Sequence, residues 1–409
     1  MRLIFISTIL PFAENRGGTS ALPFHLLYGL MNSSPLASAE EKVAHNCIIY
    51  SFNKNGLSDK KIDAVANELG VKIRLLTLPR WYRWIFKFHL LFLRVFLKYP
   101  FVNYIKLPKQ IVDEIKSLAP DLIWVNSEEL SRITKQFPGI RRMQLGPDVE
   151  SLYYYRIMSR RFVMNSVIDY WKCAMMYRKY ARLERNLCTD DNFTYYAVGE
   201  ADIDQLRELN PNVNCQFLRH PHYKVSGCKP TIEFHQPKIR LLIAGQYNLY
   251  MQQTADELMP YLIDNNILLK KAYTITFLGK GWERHVELLK DAGYEVRHIS
   301  FAPSYIDEIC KHDIQLTPIT VGTGTKGKVL DALANGLLVL GTPFAMENIA
   351  VEHNKSCIIW HHASELPGIL IDITENKDKY ELIASAGRDA VLTEHNPVKI
   401  AKSLFSLYN

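Results

Sequence analysis

Within ten residues the chain gathers glycines, two lysines and a single carboxylate: Gly322, Gly324, Lys326, Lys328 and Asp331, in TVGTGTKGKVLDALANG (320–336). Such a set can hold a phosphate anion. Free backbone N–H groups and the dipole at a helix start attract negative charge, and Lys326 and Lys328 add full charges. Asp331 falls roughly 7–8 Å further along the helix at ~1.5 Å per residue. That is the reach from a diphosphate to the ribose beside it, where a carboxylate accepts from two sugar hydroxyls. The chemistry expected of Thr323, Gly324, Thr325, Lys326 and Asp331 is therefore nucleoside-diphosphate binding. The competing reading is a glycine turn with solvated lysines and an Asp331–Lys328 surface pair. The lysine is not in the GK[ST] setting of a P-loop.

These residues work only if a strand delivers them and a helix carries them on. DIQLTPIT (313–320) reads as a buried strand, Thr325 as an N-cap, and Val329, Leu330, Leu333 and Ala334 as one helical face ended by Gly336. The same alternation runs through the chain. MRLIFIST, NCIIYSF, VKIRLLTL, DLIWVNS, MQLGP, FTYYAVG and NCQFLRH form one series of strands. KIRLLIAG, YTITFLG, EVRHIS, DIQLTPI, LLVLGTP and SCIIWHH form a second. Strands separated by helices imply parallel sheets. The expected fold is α/β, with two doubly wound Rossmann-like domains facing a cleft. The first domain is read as 1–222, a linker as 223–237, the second domain as 238–392, and a C-terminal helix at 393–409 as returning to the first.

The 409 residues, with 48% hydrophobic and 22% charged content, describe a globular protein. The seven cysteines lack metal-ligand spacing, which favours free thiols in a reducing compartment. The apolar start reads as a first strand, because its core is too short for a signal peptide and no cleavage pattern follows. Charge is uneven: residues 1–230 hold 32 Lys and Arg against 21 Asp and Glu, whereas residues 231–409 hold 17 against 21. The first half thus expects an anionic partner.

The run Gly324–Pro343 resembles the GTK-x-KVLEALA-x-G-x-PVV-x-TP element of GT-B glycosyltransferases, specifically the family 4-like, or group 1, enzymes. FLGKGWE (277–283) is similar to that group's strand and G-x-G turn, and RGGTS (16–20) to its glycine-rich first loop. The resemblance implies a transferase with a nucleotide-sugar donor, acting with retention and without metal or other cofactor. It implies donor contacts from Gly17, Gly18, Thr19, Gly279 and Lys280 besides the residues above. The sequence departs where the group often carries a first glutamate, here Thr323, and at the hinge, here Arg219-His220-Pro221-His222.

A transferase needs help for the attacking hydroxyl. Asp148, Glu150, Glu128 and His25 are the candidates, each also readable as a surface or capping residue. Asp202-Ile-Asp204 looks like a metal-binding DxD, but at a helix start residues i and i+2 face apart, so it is read as capping and no metal site is expected. From Lys72 to Lys109 there is no acid. Arg80, Arg83, Lys87, Arg94 and Lys98 recur at helical spacing beside Trp81 and Trp84. That pattern predicts one basic amphipathic helix lying on an anionic membrane. A helix packed on the core with a cationic outer face is the plainer reading. No nucleic-acid motif is present. The expected partners are a nucleotide-sugar, a glycan or lipid-linked glycan acceptor, and the membrane surface. The expected place is the cytoplasmic face of the cell membrane, in cell-surface polysaccharide assembly. An epimerase or hydrolase of the same fold, or a catalytically silent sugar-nucleotide-binding partner, are the alternatives.

Overall fold

A computed structural model of the chain describes residues 1–14, 19–32, 46–159, 166–227, 232, 234 and 236–408. They form two compact units. The first comprises residues 1–159, 164–221 and 397–409, and the second includes 222–396.

In the first unit seven parallel strands form one sheet: β1 (Arg2–Ser7), β2 (Asn46–Ser51), β3 (Lys72–Leu75), β4 (Leu122–Asn126), β5 (Arg142–Leu145), β6 (Phe193–Ala197) and β7 (Cys215–Phe217). Their order is β3-β2-β1-β4-β5-β6-β7. Alternate side chains point to opposite faces, and both faces are covered. Leu3 and Phe5 pack with Trp124 and the helix Ala21–Met31, whereas Ile4 and Ile6 pack with Ile123, Val125 and Ile115. Burial on both sides is why the central strands read as continuous apolar runs. β3 keeps only four residues of the expected VKIRLLTL, because it is an edge strand with one hydrogen-bonding neighbour. The helix Pro397–Ser406 lies against Ala21–Met31 at Gly29, where a Cβ would stand 2.4 Å from the Pro397 carbonyl oxygen.

In the second unit six parallel strands run in the order β10-β9-β8-β11-β12-β13. They are β8 (Ile239–Ala244), β9 (Tyr273–Leu278), β10 (Glu295–Ile299), β11 (Ile314–Thr317), β12 (Leu338–Gly341) and β13 (Ile358–Ile359). β11 ends at Thr317, short of the run to Thr320, because Pro318 has no N–H to pair. Residues expected to open a linker are tied into this unit. Asn335 accepts from Ser226 N at 2.7 Å and donates to the Lys224 carbonyl at 3.1 Å. No helix among the described residues is long and apolar enough to cross a membrane.

Candidate functional site

The order of the second sheet reverses between β8 and β11, and the loops after those strands meet there. In open α/β sheets this crevice is where ligands bind. The loop after β11 is fastened to the segment after β8. Thr320 N donates to the Tyr250 carbonyl at 2.6 Å, and Thr254 N donates to Thr320 Oγ1 at 3.0 Å. The loop after β9 closes on the same spot. Gly279 sits at φ 140°, with its Cα so near Gly245 that a Cβ would stand 2.2 Å from the Gly245 oxygen. Lys280 is exposed, and its carbonyl accepts from Tyr247 N at 2.9 Å.

The helix after β11 spans Gly327–Ala334. Its N-cap is Lys326, not Thr325, and the Lys326 side chain makes no capping bond. The shift by one residue follows from Gly324, whose φ of 58° turns the chain before the helix starts. Lys326 folds back over its own loop. Its Nζ donates to the carbonyls of Thr323 at 2.8 Å and Gly324 at 3.0 Å, and stands 3.5 Å from Glu347 Oε2. The ammonium is thereby held beside the helix start. Asn348 Nδ2 braces the Gly324 carbonyl at 2.9 Å from the other side.

Asp331 and Lys328 do not form the surface pair that the spacing allows. Asp331 is buried and Lys328 half-buried. Asp331 is 8% exposed, and its Oδ1 has no hydrogen-bond partner. Burial pushes its carboxyl up to about 7. The Tyr305 hydroxyl is likewise buried without a partner, and the Asp331 charge adds to the burial that raises this phenol. Lys328 reaches back to the end of β8, with its Nζ 3.2 Å from the Ala244 oxygen and 3.0 Å from Met251 Sδ. Burial first, then the neighbouring Lys326 charge, lowers its ammonium to about 8. The site thus holds a second half-buried cation at the strand ends, where Gly245 leaves room for it: a Cβ there would stand 2.6 Å from Lys328 Nζ. Spacing alone could not assign Lys328 this place, since its partners lie over 70 residues earlier in the chain.

The first unit brings some candidate acids together. Glu128 follows β4, and Glu150 opens the helix Glu150–Met158 after the neighbouring β5. Glu128 is buried. Its Oε2 is 3.4 Å from the Tyr195 hydroxyl, and its Oε1 has no partner. Burial, then the charges of Glu184 and Glu150, holds its carboxyl well above the usual range. Glu150 is pushed up to about 8 by burial and then by Asp148. Glu184, invisible as a candidate because it ends the helix Val167–Glu184, is fully buried beneath them and accepts from Ser151 N at 3.0 Å and from Ser151 Oγ. His25 lies elsewhere, its Nε2 3.2 Å from the Ala13 oxygen. Thr19 is exposed, and Gly17 and Gly18 lie outside the described residues. Gly199 is the N-cap of its helix, and the Asp202 carboxylate, in the first turn, turns inward to accept from Val149 N at 2.7 Å. Asp204 points outward toward Arg207 at 3.6 Å.

The expected single helix over 80–98 is broken. A helix covers Arg80–Lys87, His89 takes a left-handed φ of 54°, and a 3-10 turn covers Leu90–Phe96. Arg80, Arg83 and Lys87 share the helix, whereas Arg94 and Lys98 belong to the following segment. Two cations of the helix Val167–Glu184 hold that segment: Lys179 Nζ donates to the Arg94 carbonyl, and Arg182 to the Lys98 carbonyl at 3.1 Å. Trp84 is 64% exposed, Phe92 62% and Phe96 82%, so the aromatic residues face outward beside the cations.

Residues 264–406 match the model of the glycosyl transferase-like family. The whole chain is similar to solved structures. One is HepE from Anabaena in complex with UDP-glucose (12% identity, 100% of this chain and 99% of that one, TM-score 0.61). Another is the sucrose-phosphate synthase of Thermosynechococcus elongatus (11% identity, 100% and 98%, TM-score 0.64). A third is WaaG, a glycosyltransferase involved in lipopolysaccharide biosynthesis (13% identity, 98% and 99%, TM-score 0.60). No curated protein sequence matches the chain significantly. The chain therefore has the GT-B fold, and its residues 264–406 carry a glycosyl transferase-like sequence.

Proposed function

We propose that the protein is a glycosyltransferase that moves a sugar from a nucleotide-sugar to a glycan or lipid-linked glycan acceptor at a membrane surface, in cell-surface polysaccharide assembly. The observation that carries this reading is the unpartnered Oδ1 of Asp331, buried further along the same helix from the loop that holds Lys326. A buried polar atom without a partner costs about 1–3 kcal/mol. Ribose hydroxyls would supply the missing donors, while Lys326 and the helix start meet the diphosphate. The likeness to a structure holding UDP-glucose supports the same donor class. In the first unit, the half-buried Glu150 is proposed to take the acceptor proton in its ionised form, whereas burial keeps Glu128 protonated. Turnover of a nucleotide-sugar panel, with and without membrane lipids, tests the proposal. Transfer to a lipid-fraction acceptor is expected. Donor epimerised or hydrolysed with no glycosylated product would favour the alternative enzymes, and binding without turnover a silent partner.

Two further outcomes follow from this reading. Turnover is metal-independent, because Lys326, Lys328 and the helix dipole supply the positive charge for the leaving diphosphate, and Asp202 and Asp204 face apart. Activity should survive excess chelator; activity abolished by chelator and restored by Mg²⁺ or Mn²⁺ would contradict this. The broken segment 80–98 is proposed to dock on anionic membrane at the cytoplasmic face, with Arg80, Arg83 and Lys87 on one piece, Arg94 and Lys98 on the next, and Trp81 and Trp84 beside them. Each basic residue near such a surface contributes roughly 1 kcal/mol. Reversing Arg83, Lys87 and Arg94 to Glu should release the protein from anionic vesicles at moderate salt. Sedimentation with those vesicles at the wild-type level would show the segment to be a solvated face only.

A further inference from the structure

A cavity of about 350 Å³ lies within the first unit, lined by none of the residues assigned above to donor or proton chemistry. Lys106, Arg132 and Lys135 line it together with Tyr99, Asn103 and Asn186, and no carboxylate does. The arginine is fixed in place. Its guanidinium carbon stands 4.4 Å from the Tyr104 ring centroid and 5.3 Å from that of Tyr99, and its Nε donates to Asn103 Oδ1 at 3.1 Å. Asn103 is 2% exposed and is itself anchored, donating to Ser131 Oγ at 2.8 Å and to the Glu129 carbonyl at 3.0 Å. With Nε occupied, the two terminal nitrogens of Arg132 have no hydrogen-bond partner among the described residues. Lys135 gives one proton to the Asn186 carbonyl at 2.6 Å and keeps two. Lys106 makes no hydrogen bond among the described residues.

We infer that this cavity is a binding site for a phosphate group. A planar guanidinium fork held by two rings matches phosphate oxygens in pairs, and flanking ammonium groups serve as point charges. Three cations without a lining acid suit the charge of about −1.5 to −2 on a phosphomonoester at neutral pH. The size admits a phosphate with a small group attached, since ligand cavities run from about 300 Å³ upward. The phosphate could belong to a soluble molecule or to a lipid headgroup. Tyr99 lies three residues beyond Phe96, the most exposed aromatic of the 80–98 segment, which brings the lipid source within reach. Phosphate would bind there whether or not the second unit turns over a donor.

Two probes separate the sources: inorganic phosphate, and phosphatidylcholine vesicles carrying either phosphatidic acid or phosphatidylserine. The full chain should bind inorganic phosphate in a way that Arg132→Gln weakens tenfold or more. The Arg132→Gln, Lys135→Gln double variant should weaken it further. Arg132→Lys, which keeps the charge but loses the fork, should fall between. If the phosphatidic acid vesicles lose binding in these variants and the phosphatidylserine vesicles do not, the headgroup is the source. If only inorganic phosphate is affected, a soluble phosphate is. Thermal melts confirm folding, and should the glutamine variants melt early, Arg132→Lys alone decides. Equal affinities of the wild type and the folded variants for both probes would overturn the site.

Discussion

Replacing Lys326 by alanine should weaken nucleoside-diphosphate binding tenfold or more and leave the fold intact. The ammonium is held 2.8 and 3.0 Å from two carbonyls of its own loop and 3.5 Å from Glu347 Oε2, at the N-cap of the helix. A diphosphate there would compete with these partners for the ammonium. A hydrogen bond to a charged group contributes about 1.5–3 kcal/mol, and ~1.4 kcal/mol corresponds to a factor of ten. Stability should fall modestly, because the two carbonyl contacts stay within a single loop but the half-buried Glu347 carboxylate loses this cation. Isothermal titration with nucleoside diphosphates checks the affinity, and a thermal melt checks the fold. Wild-type affinity in the variant would remove Lys326 from the donor site.

Asp331→Asn should stabilise the protein at pH 8 while weakening donor binding. The sign follows from the direction of the shift. Burial raises the carboxyl from 3.8 in the unfolded chain to about 7 in the folded one. Between those values the folded state holds the proton more tightly, so stability present below about pH 4 is lost as pH rises through about 7. Above that, the ionised and buried carboxylate costs on the order of 4 kcal/mol. The amide has nearly the same shape and carries no charge. The variant should therefore melt several degrees above wild type at pH 8 and close to it at pH 4, since ~1 kcal/mol moves the midpoint by about 2–4 °C in a domain of this size. A gain equal at both pH values would show that Asp331 does not ionise at a cost. A protein that keeps a destabilising carboxylate in its interior is expected to use it.

Much of this is legible in the residues alone. The central strands of both sheets are apolar on both faces, so they stand out as runs such as LIFIS and LLVL whatever their neighbours are. The glycine loop is legible too, because a helix start can be read from a few adjacent residues. What escapes depends on partners far along the chain. The direction of Lys328 is set by Ala244 and Met251. Glu184 reads as the end of an amphipathic helix, and only the pairing of β4 with β5 brings it under Glu128 and Glu150. The segment 80–98 has helical spacing throughout, yet the chain turns at His89, and the later piece is held by Lys179 and Arg182 from over 80 residues away. Asp202 reads as a cap because capping is local, whereas its partner, Val149 N, belongs to the loop after β5.

The central claim is that residues 322–331 hold the ribose and diphosphate of a nucleotide-sugar. A double-perturbation cycle tests it most directly. Wild type and Asp331→Ala are each titrated with a nucleoside diphosphate and with its 2′- and 3′-deoxy analogues. If the carboxylate accepts from the ribose hydroxyls, removing a hydroxyl costs wild type more affinity than it costs the variant, by about tenfold for a charge-assisted bond. Equal losses in the two proteins would mean that Asp331 and the ribose do not meet, and the assignment of the donor site would fall with them.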